Sequence, residues 1–91
     1  MTNTNTTTIE LISANVANDD AWDRAYTLID SPSPEDAVWR PEITKWIAEN
    51  IHTGTISKPV FRYEDDNMKL EAICSSDMSD SDVVLFAMCW K

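Results

Sequence analysis

His52, Cys74 and Cys89 are the side chains of this chain best suited by type to metal or nucleophilic chemistry, and their spacing argues against both. Zinc sites draw on close pairs of ligands, and no such pair is present, so neither a metal nor any other cofactor is expected. His52 is the single histidine. It falls at the polar end of an expected helix with no serine or cysteine motif near it, so a surface or capping role is expected over that of a base. The chain has one glycine, Gly54. Phosphate-binding loops and dinucleotide fingerprints need several, because only glycine lets successive backbone N–H groups approach a phosphate, so both are excluded. Asp77, Asp80 and Asp82 suggest calcium by composition. They lack the turn glycine and the closing glutamate of an EF-hand, and a solvated loop is expected. No pair of carboxylates is set in the opposed environments that hydrolytic acid–base work needs. An enzyme is not expected.

The remaining chemistry is charge. Sixteen acidic residues against seven basic ones give a formal charge of −9. Phosphates repel such a surface, which argues against direct binding of nucleic acid or an anionic membrane and favours a basic protein partner. The carboxylates fall into four groups: Asp19, Asp20, Asp23 and Asp30; Glu35 and Asp36; Glu64, Asp65 and Asp66; Asp77, Asp80 and Asp82. Together they exceed the charge magnitude of about 2–8 that keeps a small domain soluble. All twelve are candidate partner-binding residues.

The elements that must position these groups follow from periodicity. Ser33-Pro34-Glu35-Asp36 has the composition of a helix start, with Ser33 as N-cap. Pro41 interrupts it, so a short turn and a restart are expected. From Trp39 to Gly54, Trp39, Ile43, Trp46, Ile47, Asn50 and Ile51 share one face, and Glu42, Lys45, Glu49 and His52 the other. Gly54 stands where a left-handed cap belongs.

Upstream, Met1 to Thr6 reads as a loose polar arm. Thr7 to Ala17 is ambiguous. Thr7 and Glu10 suit a capping box, and Ile9, Ile12 and Val16 follow helical spacing, while the threonines and isoleucines are β-formers. A helix is the preferred reading, with a strand left open. Asn18 caps the next helix, on which Trp22, Ala25, Tyr26 and Ile29 form an apolar stripe. On an ideal helix Asp19, Asp23 and Asp30 make a row of carboxylates over roughly 16 Å, with Asp20 beside it.

Beyond Gly54 the period shortens to two. Strands are expected over Ile56–Tyr63, with Pro59 near its start, over Met68–Cys74, and over Asp82–Lys91, which is apolar on both faces. Cys74 and Cys89 would then be buried thiols on neighbouring strands, compatible with a reducing compartment and bonded only if the register allows. The expected architecture is a single α+β domain. Residues 1–6 form an arm, residues 7–54 are mainly helical, and residues 55–91 form a three-stranded antiparallel sheet under the helices. No apolar run approaches the length of a membrane span, and no leader segment is recognisable.

Small size, a polar arm, scattered acidic clusters and absent catalytic motifs make this chain similar to the small acidic anti-CRISPR proteins of phages and mobile elements, those of the DNA-mimic kind. The resemblance implies a stoichiometric inhibitor in the bacterial cytoplasm. It would occupy the basic nucleic-acid groove of a CRISPR effector, a type I complex above all, and block target DNA. The alternative is an acidic adaptor or immunity-type protein that binds one basic partner such as a toxin.

Overall fold

The computed structural model describes residues 6–30 and 34–91. Residues 1–5 of the arm expected over residues 1–6, and the expected N-cap Ser33, lie outside the described residues. Three strands, β1 (Thr7–Asn15), β2 (Val60–Glu64) and β3 (Asn67–Cys74), form one antiparallel sheet in the order β1-β3-β2. Three helices accompany it: α1 (Asp19–Leu28), α2 (Pro41–Asn50) and α3 (Asp80–Trp90), with a 3-10 turn at Pro34–Asp36. The α+β class and the three-stranded antiparallel sheet are as expected. Two segments exchange roles within that class: residues 7–15 supply a strand, and residues 80–90 a helix.

The first exchange has a local cause. In β1 the register runs Ile9↔Ala72, Glu10↔Glu71 and then Ile12↔Leu70, so Leu11 is an extra residue in a β-bulge. The bulge returns Ile12 to the face that Ile9 occupies. An i, i+3 apolar spacing, which reads as helical, is here the signature of a bulged strand. Ile9, Leu11 and Ile12 are all buried.

The second exchange begins at Ser79, whose hydroxyl accepts from the Asp82 N–H as the N-cap of α3. Asp80 and Asp82 sit in the first turn, by the positive end of the helix dipole. The motif Ser79-Asp80-Ser81-Asp82 is therefore a capping signature, and the apolar run after it is long enough for three helical turns. Cys89 consequently lies on α3, exposed, while Cys74 is buried on β3, and both are free thiols.

β3 is the central strand. Its residues Met68, Leu70, Ala72 and Cys74 alternate onto one face and are fully buried. They join Ala25, Ile29, Ile43, Trp39 and Phe86 in one core. The opposite face of β3 carries Lys69, Glu71 and Ile73. There the Arg62 Nε lies 2.8 Å from Glu71 Oε1, which compensates an otherwise costly buried carboxylate. Pro59 immediately precedes β2, where its missing donor interrupts no ladder bond.

α2 begins at Pro41, as the expected restart requires, and turns Ile43 into the core with Trp46 and Ile47 half-buried beside it. The end of α1 and the start of α2 are tied together by two contacts. Ile29 and Trp39 form an isolated bridge, and the Arg40 guanidinium donates to the Tyr26 carbonyl from Nε at 2.9 Å and from Nη2 at 2.7 Å. Gly54 has φ of +65°, the left-handed region expected of it, but α2 ends four residues earlier. The glycine serves a tight loop rather than the helix cap.

Candidate functional site

One end of the molecule is built from two turns that are remote in sequence. Antiparallel pairing of β1 with β3 ends at Asn15↔Asn67, and pairing of β2 with β3 ends at Glu64↔Asn67. Both neighbours of the central strand therefore reach the same edge. The hairpin turn Asp65-Asp66 is held there against the turn that leads into α1, through Val16 N–H donating to the Asp66 carbonyl at 2.8 Å. Asp65 adopts φ of +53°, a conformation that aspartate tolerates better than most residues. Across that contact, Asn15 Oδ1 accepts from Ala17 N–H, and Asn18 Oδ1 caps α1 by accepting from Ala21 N–H. Trp22 Nε1 donates to the Val16 carbonyl at 2.8 Å.

The consequence is a cluster of exposed carboxylates. Asp19 and Asp20, from the first turn of α1, join Asp65 and Asp66 at this end, and Asp23 follows one turn further along the helix. Beside them runs an aromatic flank. Trp22 stacks on Phe61, with ring centroids 5.8 Å apart and planes at 15°, and on Tyr26 at 6.2 Å and 29°. Tyr63, on the same face of β2 as Phe61, is 55% exposed.

The other acidic residues are placed differently. Asp30 lies beyond the end of α1, with its backbone N–H bonded to the Val38 carbonyl, so the expected helical row stops at Asp23. Glu35 and Asp36 are exposed in the 3-10 turn, which packs near β2. Glu64 has turned towards Lys69, whose Nζ is 3.8 Å away.

Asp77, Asp80 and Asp82 belong to the joint between α3 and the loop after α2. Asp82 Oδ2 accepts from the Thr53 hydroxyl at 2.7 Å, from Thr53 N–H at 3.0 Å and from His52 N–H at 3.1 Å. Asp77 accepts from the Ser75 hydroxyl, which itself accepts from Thr55 N–H at 2.8 Å. Two of these three carboxylates are thus committed to holding the fold. Among the described residues no group of three His, Cys, Asp or Glu side chains is arranged to hold a metal, and no helix is long and apolar enough to cross a membrane.

The aromatic flank is the part of this end that charge counting misses. Its signal in the sequence is the alternation Phe61, Tyr63 on an expected strand, together with Trp22 and Tyr26 four residues apart on an expected helix.

The Thr53 hydroxyl, helped by the two backbone N–H groups, holds the Asp82 carboxyl below its ordinary value of 3.8, and partial desolvation opposes this. A depressed folded pKa stabilises the fold fully above the ordinary value. That contribution is lost as pH falls from there through the lowered value. Asp82→Asn is therefore expected to lower the melting temperature at pH 7, with the gap to wild type closing as the buffer drops below about pH 4. A gap independent of pH would mean that the carboxylate charge is not what the Thr53 loop binds. Cys74 behaves in the opposite sense, as burial pushes its thiol up and leaves it unreactive at neutral pH.

Compared with models of known protein families, with curated protein sequences and with solved structures, the chain matches none.

Proposed function

We propose that this protein is a stoichiometric inhibitor that enters a basic nucleic-acid-binding groove with its acidic end first, and that the groove belongs to a CRISPR effector, a type I complex above all. The observation that supports this reading is the contact between Val16 and Asp66. It fixes carboxylates from two distant segments, Asp19 and Asp20 with Asp65 and Asp66, on one rigid end. Such a cluster attracts Lys/Arg side chains arranged for a phosphate backbone, and does so before contact through long-range steering. An inhibitor of this kind needs no catalytic residues and is consumed one for one.

The test is a target-DNA binding assay with a purified type I effector at two salt concentrations. The wild-type protein is expected to abolish DNA binding near one equivalent, with the effect weakening as salt rises. Asp19→Lys, Asp23→Lys and Asp66→Lys together are expected to reduce inhibition at least about tenfold, because each reversal places like charge against the groove. The melting temperature should stay close to wild type, since exposed charges contribute little to stability. Undiminished inhibition by the folded triple variant removes the acidic end from the mechanism.

The aromatic flank favours one second reading, an adaptor or immunity-type protein that covers a single basic partner. Trp and Tyr are enriched at protein interfaces and would anchor such a contact. Competition separates the two. A groove-binding inhibitor and DNA exclude each other, whereas a partner held away from its nucleic-acid site binds both.

A further inference from the structure

α3 is apolar on all sides, yet only one side of it is used. Val83, Phe86, Ala87 and Trp90 face the core. Val84, Leu85 and Met88 face outward at 54%, 38% and 78% exposure, and with Asp80 and Ser81 they line a shallow depression along the helix. Three large apolar side chains in adjacent turns leave a surface that helices normally cover.

We propose that this face pairs with the same face of a second copy, α3 against α3, antiparallel about a two-fold axis near residue 86. Opposite charges at the two ends of the helix make the face complementary to itself and select the direction. The stripe has an acid at one end, Asp80, and a base at the other, Lys91. Antiparallel pairing sets Val84 level with Met88 of the second copy, and Asp80 within about one residue of its Lys91, or roughly 1.5 Å along the axis. Parallel pairing would set Asp80 against Asp80 instead. Antiparallel helix dipoles also oppose each other favourably. The formal charge of −9 on each copy opposes the pairing, and salt reduces that opposition by screening it. The face is self-complementary, as a two-fold interface requires. An eleven-residue helix spans about 16 Å, so the buried area falls below the roughly 1,200 Å² of stable complexes and the association is weak and concentration-dependent.

Sedimentation over a concentration series up to about 1 mM is expected to show a monomer–dimer equilibrium, in keeping with a micromolar or weaker constant. Met88→Asp should abolish it without unfolding the chain, because Met88 is largely solvated in the monomer. Asp80→Lys and Lys91→Asp should each weaken it about two- to fivefold, and the two together should restore it, since the pair is exposed. Crosslinking reads the geometry directly. In a Cys89→Ser background, Leu85→Cys is expected to form an intermolecular disulfide, because the two positions lie about 3 Å apart along the axis. Native Cys89 is expected not to, since its two copies are offset by about 9 Å along the axis before the helix separation is added. A monomer at every concentration overturns the proposal. So does failure of the double charge swap to restore association, and so does a dimer trapped through Cys89 in place of Leu85→Cys.

Discussion

Phe86→Ala is expected to cost about 3–5 kcal/mol, most of the stability of a domain this small. Phe86 is fully buried, and its ring joins three elements. It meets Trp39 edge-on at 6.0 Å, and Trp46 at 6.0 Å and 61°, while Trp46 in turn meets Trp90 at 5.9 Å. Removing the ring therefore leaves a cavity bounded by the Trp39 and Trp46 indoles. Trp39 Nε1 is bonded to the Ser57 carbonyl at 2.8 Å, so Trp39 cannot swing in to fill the space. The cavity persists, which is the condition for the upper part of the range. Trp46→Ala is expected to cost less than Phe86→Ala, because Trp46 is only half-buried. Urea titration followed by tryptophan fluorescence gives both numbers. A Phe86→Ala cost under about 1 kcal/mol would mean that α3 is not docked by this ring, and would reopen the strand reading of residues 82–91.

That strand reading fails for an instructive reason. A run that is apolar on both faces has no phase, so periodicity cannot tell a covered strand from a helix. The deciding information lies just outside the run, in Ser79 and the two aspartates that follow. The opposite ambiguity affects β1. Its spacing has a helical phase, but the phase comes from the bulge at Leu11, which exists only because β3 is there to pair with. Helices α1 and α2 were legible because their signals are local: Asn18 before the first, Pro41 at the start of the second, and one-sided apolar stripes on both.

The candidate site divides in the same way. That Asp19, Asp20, Asp65 and Asp66 are exposed follows from their types and from the turn and cap positions they occupy. That they share one end does not, because it depends on strand order. In the expected meander of residues 55–91, the Asp65-Asp66 turn has no reason to approach α1. Inserting β1 next to β3 brings the two together. Asp82 shows the reverse. By composition it belongs to an acidic loop, but its oxygen is spent on Thr53 and His52, thirty residues upstream. Charge counting sees carboxylates and is blind to which of them the fold has already used.

The loop that Asp82 holds contains a backbone position constrained in two ways. Gly54→Ala is expected to cost about 2–5 kcal/mol, from two separate causes. Its φ of +65° puts any L side chain in the left-handed region. A Cβ there would also meet the Met78 backbone, 2.7 Å from N and 2.8 Å from Cα, as well as the Ser75 hydroxyl. The hydroxyl can turn away, but the Met78 backbone cannot. Its N–H is bonded to the Ser75 carbonyl at 3.1 Å, and Ser79 N–H is bonded to the Thr53 hydroxyl at 2.8 Å. Relief would require the two loops to part, and with them the joint that seats α3 on the sheet. Asparagine separates the causes, because it tolerates positive φ but carries a Cβ. If close approach dominates, Gly54→Asn is nearly as unstable as Gly54→Ala in a denaturant titration. If Gly54→Asn recovers wild-type stability, the loops are farther apart than the geometry here requires, and only the backbone angle constrains the residue.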